Sequence, residues 1–312
     1  MRTTDAIHLG LMLFAVCAAY LVPFELLLLS YAVLGPAHYF TEISWLHDRK
    51  YFLPHRGIGL ALAIVAVVVV IIAKPWWFGF IVWSALMVCA LLAATTSVVE
   101  GIVVFMIAVG MAAIMYSSES FVLLGVLIPT LVHVSVFTLV FMMLGAYRSK
   151  SKTQAFLVIA YLAAIGIILI VPPTASSRIE SFARLSQEYF GDVGPALGKL
   201  FGVRDLKLDT RFTSLLAFAY TYHYLNWFIK AEVIRWTDIS KTRLAVVIAA
   251  SAGSTGLYFY NYAIGFVTLY IIALAHIMLE FPLNSIALRD LGSIAGRGIV
   301  RKTRVLFSHE ET

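Results

Sequence analysis

Charge is scarce in this chain. Only 13% of its 312 residues are Asp, Glu, Lys or Arg, while 61% are hydrophobic, and a soluble domain carries about twice that share of charge. The shortage excludes an ordinary soluble globular domain and a charge-rich disordered segment alike. Cysteine is almost missing as well. Cys17 and Cys89 both lie inside apolar runs, which excludes a disulfide framework and a cysteine-held zinc site. Long polar connections are limited to one, residues 174–210. The first apolar run has no small-residue cleavage site and flows into a second, so it is expected to stay in place as a span. The net charge of +6 implies no nucleic-acid partner, because Lys and Arg fall in short loops and near the C-terminus, where membrane orientation accounts for them.

What is present is a succession of runs long enough to cross about 30 Å of hydrocarbon. They fall at 6–22, 24–46, 57–73, 76–95, 98–116, 120–146, 155–172, 211–233, 243–260 and 262–288. Pro23, Pro54, Lys74-Pro75 and Pro172-Pro173 separate several of them. The 57–95 stretch is the least distinct, with short helices or a re-entrant turn as the alternative to two spans. Basic clusters follow only the even-numbered runs: Arg49, Lys50 and Arg56; Arg148, Lys150 and Lys152; Lys230, Arg235, Lys241 and Arg243; and Arg289, Arg297, Arg301, Lys302 and Arg304. The expected fold class is therefore an all-α polytopic membrane protein, with about ten transmembrane helices in one bundle and both termini cytoplasmic. The bundle would occupy residues 1–290, and a basic cytoplasmic tail residues 291–312. Residues 174–210, with the spacing of "IESFARLSQEYF", are expected as an extracytoplasmic amphipathic connection. The expected location is a bacterial plasma membrane, crossed many times.

Four of the eight histidines, His8, His47, His55 and His309, sit near ends or in loops and read as solvated or interfacial. The others, His38, His133, His223 and His276, fall inside spans. They lie 11, 15, 12 and 13 residues before Arg49, Arg148, Arg235 and Arg289 respectively. That spread is about 6 Å along a helix axis. All four spans run from outside to inside, so the imidazoles share one slab of the membrane. Neutral imidazole is the commonest metal ligand and brings no charge into a low-dielectric site.

Glu42 follows His38 by four residues and Glu280 follows His276 by four, in "AHYFTE" and "AHIMLE". That spacing puts acid and imidazole on one helix face. An intramembrane carboxylate is costly unless paired, so both are candidates to ligate or orient at a metal centre and to take part in its chemistry. Asn226, three after His223, shares its face. Tyr39, Tyr222 and Trp227, with neighbouring aromatic residues, are candidate pocket walls for a flat apolar substrate, or members of an interfacial belt.

Together the segments "GPAHYFTE", "TLVHVSVF", "FAYTYHYLNWF" and "LAHIMLEFP" resemble those of the Brp/Blh family, the integral-membrane β-carotene 15,15′-dioxygenases. Their order and approximate spacing agree with that family's, and the resemblance covers these helices alone. Glu42 stands where the family has Asp, and Trp227 where its third segment has a second histidine. The resemblance implies Fe(II), other transition metals remaining open, held by His38, His133, His223 and His276 and used with molecular oxygen to cleave a polyene double bond. The expected partners are an apolar lipid-phase substrate, carotenoid or isoprenoid, along with oxygen and membrane lipids. The function expected is thus a membrane-embedded non-haem iron oxygenase. Two other classes compete: a haem-binding electron-transfer protein, and a transporter with a His/Glu proton relay. The clustered His-x-x-His-His boxes of membrane desaturases and hydroxylases do not occur.

Overall fold

The computed structural model describes residues 3–72, 75–95, 97–117, 128–171, 173–174, 177–190 and 209–308. Among these every regular element is a helix and no strand occurs. In chain order they are α1 (Thr3–Leu21), α2 (Pro23–Leu29), α3 (Gly35–Asp48), α4 (Arg56–Ile72), α5 (Pro75–Ala93), α6 (Val98–Ser117), α7 (Ile128–Leu131), α8 (Thr138–Ser149), α9 (Lys152–Ile170), α10 (Glu180–Phe190), α11 (Asp209–Ile229), α12 (Ala231–Ile234), α13 (Lys241–Tyr260) and α14 (Tyr262–Ser308). Among the described residues four stretches are long and apolar enough to cross a membrane: Thr4–Leu21, Val132–Ser149, Lys152–Ile170 and Tyr262–Gly296. Residues 120–127, most of the 174–210 connection and the last four residues lie outside the described residues.

Two expected spans are interrupted rather than straight. A π-helical turn, Ser30–Leu34, links α2 to α3, and another, Val132–Phe137, links α7 to α8. The first has a visible cause. Pro36 has no N–H to give to the carbonyl of Ala32 four residues back, and its ring crowds that oxygen. Widening the turn relieves the clash, and Thr255 of α13 donates its hydroxyl to the Ala32 carbonyl at 2.9 Å. One turn earlier on α13, Ser251 reaches the Pro36 carbonyl at 3.3 Å. The 57–95 stretch resolves into two helices, α4 and α5. Beyond residue 290 the chain continues as part of α14 without a break as far as Ser308, with Pro282 inside the helix.

Two apolar cores hold the helices together. One joins α1, α2, α9 and α11 through residues such as Ala15, Phe24, Tyr161 and Phe218. The other joins α3, α4, α5 and α14 through Leu46, Leu62, Cys89 and Met278. Helix α11 is buried on nearly every side, which explains how it holds Thr213, Ser214, Thr221, His223 and Asn226 in the interior. Its polarity keeps its hydropathy modest although it runs through the middle of the structure. At the α13–α14 corner Gly265 is obligatory, since a Cβ there would lie 2.2 Å from the Cα of Tyr258. On the basic side, Arg243 bonds Asp48 at 2.6 Å and also reaches the Ser44 carbonyl, fixing the start of α13 to the end of α3. The Arg243 hydrogen bond holds the Asp48 carboxyl below its usual range.

Candidate metal centre

Each histidine of the predicted quartet comes from a different segment: His38 from α3, His133 from the second π-turn, His223 from α11 and His276 from α14. The first and last belong to one core's helices, and the other two to the opposite side, so the site lies on the seam between them. The four rings form a closed circuit. Neighbouring centroids are 4.8 Å apart for His38–His223, 5.0 Å for His223–His133, 4.9 Å for His133–His276 and 4.9 Å for His276–His38. Each ring meets the next edge to face, and all four are at least nine-tenths buried. One nitrogen from each lies within 4.8 Å of the others.

Glu42 and Glu280, 2% and 3% exposed, enter the same cluster. Glu42 Oε2 is 3.0 Å from His38 Nε2 and 3.3 Å from His276 Nε2, and Glu280 Oε2 is 3.1 Å from His133 Nδ1. His38 Nε2 is also 3.1 Å from His223 Nε2. Two donors about 2.1 Å from one ion lie about 3.0 Å apart at a right angle and about 3.4 Å apart at a tetrahedral angle. These four separations fall in that interval.

Hydrogen bonding fixes two tautomers. His276 Nδ1 is 3.0 Å from the carbonyl of Ala273, which can only accept, so Nδ1 carries the proton. Thr138 directs its own proton to the Val134 carbonyl at 2.9 Å, so at 2.8 Å it accepts one from His223 Nδ1. In both residues the Nε2 lone pair is left facing the cluster. Glu42 Oε2, Glu280 Oε2, His276 Nε2 and both ring nitrogens of His133 have no hydrogen-bond partner although buried. An unsatisfied buried polar atom costs about 1–3 kcal/mol, and a cation at the common point answers several at once. The histidines and carboxylates therefore fit a metal ion, and this buried cluster can hold one.

The cluster has two different sides. On the C-terminal side of the histidines are the acids Glu42 and Glu280, with Asn284, fully buried, one turn beyond Glu280. Sequence reasoning missed Asn284, although its spacing in the series His276, Glu280, Asn284 was a usable signal. On the N-terminal side lies a small, partly open cavity of about 40 Å³, lined by Tyr31, Thr130, Tyr220 and Tyr270 as well as by His133 and His276. In each of the four segments a lining residue precedes the histidine: Tyr31, Thr130, Tyr220 and Tyr270.

The candidate pocket residues divide. Tyr39 stacks obliquely on His276, centroids 4.7 Å apart, and bonds the hydroxyl of Tyr224 at 2.6 Å over Gly35, where a Cβ would press on the phenol. Trp227 meets His38 edge-on at 5.4 Å and donates its Nε1 proton to Thr41 at 3.0 Å. Asn226 is buried with an unpartnered Oδ1 and is not among the residues lining the cavity. Tyr222 turns away, packing on Tyr161 and Phe218 in the α1–α11 core, because it is two residues, more than half a turn, from both Tyr220 and Tyr224. Thr138 was not singled out in the sequence; five residues from His133, it shares that residue's face only through the π-turn. Among the other histidines, His47 is exposed as expected, but His8 is 7% exposed and buried one turn from Asp5. No protein-family model, curated protein or solved structure matches this chain.

Proposed function

We propose that this chain is a non-haem iron oxygenase of about ten membrane spans, both termini cytoplasmic, acting on an isoprenoid-type substrate taken from the lipid phase. The observation that carries the reading is the closed four-histidine circuit with carboxylates on one side and an open cavity on the other. Fe(II) bound there would supply the redox centre at which oxygen and a substrate double bond react. The residues of the chain do the rest. His38, His133, His223 and His276 would hold the ion by their neutral imidazoles. Glu42 and Glu280, if both ionised, balance a dication to zero net charge, the cheapest state in a low-dielectric interior. The cavity gives an apolar molecule access from the side opposite the acids, and burial keeps bulk water from the centre. The order of the four histidine segments along the sequence, which resembles that of the Brp/Blh dioxygenases, supports the same reading. A haem is disfavoured because rings in edge contact leave no room for a macrocycle among them.

The test is metal analysis of purified protein with oxygen-uptake measurements on an isoprenoid panel. Wild type should carry about one iron per chain, and His133→Ala and His276→Ala should lose most of it. Absence of a near-stoichiometric transition metal in wild type, or full retention in either variant, overturns the metal centre. Iron without substrate-dependent oxygen uptake overturns the oxygenase reading.

A further inference from the structure

The cavity wall has an uneven composition that packing alone does not explain. Tyrosine supplies five of its thirteen lining residues, and phenylalanine and tryptophan none, in a chain with 21 Phe and 15 Tyr. A wall selected for aromatic area would draw on Phe at least as often, so the hydroxyls themselves are being used. Three of them have capacity to spare. Tyr31 Oη is buried with no hydrogen-bond partner. Tyr39 and Tyr224 share one hydrogen bond of 2.6 Å, which commits one of their two protons and leaves the other to reach a third oxygen. The remaining lining includes Val82, Val134, Leu274 and Ile277, which accept hydrocarbon only. An apolar pocket with a few convergent polar groups reads a ligand that is mostly hydrocarbon and carries one oriented polar end.

The hydroxyl pair also has a definite place relative to the histidines. The Tyr39 ring is 4.7 Å from that of His276, and the Tyr224 ring is 5.0 Å from that of His38. The Tyr39 hydroxyl itself lies against Gly35, three residues before His38, so an oxygen bonded to this pair sits about one turn from the histidine circuit. We infer that the cavity binds the oxygen-bearing end of an isoprenoid alcohol or aldehyde, with its oxygen on Tyr31, Tyr39 and Tyr224 and the rest of its hydrocarbon chain extending out through the open side. This rests on the oxygenase reading for what then happens to the molecule, but not for its binding. A hydrocarbon of the same skeleton leaves the Tyr31 hydroxyl and the spare proton of the Tyr39–Tyr224 pair without a partner, which is how a site built to bond an oxygen rejects the analogue lacking it.

The experiment compares two polyenes that differ by one hydroxyl, all-trans-retinol and its deoxy hydrocarbon axerophthene. Binding to the metal-loaded full chain in lipid nanodiscs is followed under nitrogen by polyene fluorescence. Retinol should bind at least about tenfold more tightly, the equivalent of one hydrogen bond. Tyr39→Phe with Tyr224→Phe, and separately Tyr31→Phe, keep the rings and should reduce that preference while metal content stays at the wild-type level. Equal affinity for the two polyenes, preference for axerophthene, no binding of either, or a preference undiminished in the Phe variants overturns the inference. Loss of the metal in the Phe variants also counts against it, since the hydroxyls would then be serving the metal site. The two readings fail separately. A retinol preference without oxygen uptake sinks the oxygenase alone, whereas oxygen uptake with no preference sinks only the oxygenated ligand.

Discussion

Thr138 shows how one side chain outside the ligand set governs it. Its hydroxyl is spoken for by the Val134 carbonyl, so the only remaining way to satisfy His223 Nδ1 is to accept its proton. The lone pair of His223 is thereby kept at Nε2, toward His38 and the centre. Removing such an outer partner typically costs about 10–100-fold in metal affinity. Thr138→Val, equal in shape, should weaken metal retention by that range in a chelator competition, and Thr138→Ser should restore most of it. A merely structural role predicts the opposite pattern, in which valine retains the metal and serine, lacking the methyl group, does not. Glu42 and His38 needed no such help to be found, since four-residue spacing announces a shared helix face. Thr138 was invisible because five-residue spacing in an α-helix separates two side chains by about 140°.

The helical elements supply what that spacing conceals. In the π-turn Val132–Phe137, hydrogen bonds run from i to i+5, so His133 and Thr138 come to lie over one another. Deleting outward-facing Val136, 43% exposed, should return the turn to α geometry and rotate His133 by about 100° relative to α8. Helix content by circular dichroism should stay near wild type while bound metal falls severalfold. Unchanged metal content would show that the turn has no part in placing the ligand. The turn before α3 is bound from outside by Ser251 and Thr255 of α13. Pro36 was legible as a helix breaker, but the helix that answers its orphaned carbonyl was not, because no local pattern links residues more than 200 apart.

In the molecule as a whole, the site ties two helix groups together. His38 and His276 belong to the α3–α4–α5–α14 side, and His133 and His223 to the side of α8, α9 and α11. A cation at the centre would thus act as a cross-link on the seam, stabilising the native state according to its occupancy. At a hundred times its dissociation constant the contribution is about 2.7 kcal/mol. Chelation should therefore lower the melting temperature of wild type by several degrees, and re-addition of metal should restore it. His276→Ala should melt at one temperature with and without chelator. A chelator-insensitive wild type would mean that the seam is held by packing alone.

Composition was enough to establish that most of this chain cannot be an ordinary soluble domain, and helical register was enough to bring His38, His133, His223 and His276 to one depth with Glu42 and Glu280 beside two of them. Those are properties of one helix at a time, governed by a fixed rise and turn per residue. The order of the rings around the centre, the protons on His223 and His276, the departure of Tyr222 from the cavity and the entry of Tyr31 and Thr138 into the site were decided only in three dimensions. They depend on the rotation of each helix about its own axis, which neighbouring helices and two π-turns set and which no single segment's pattern contains.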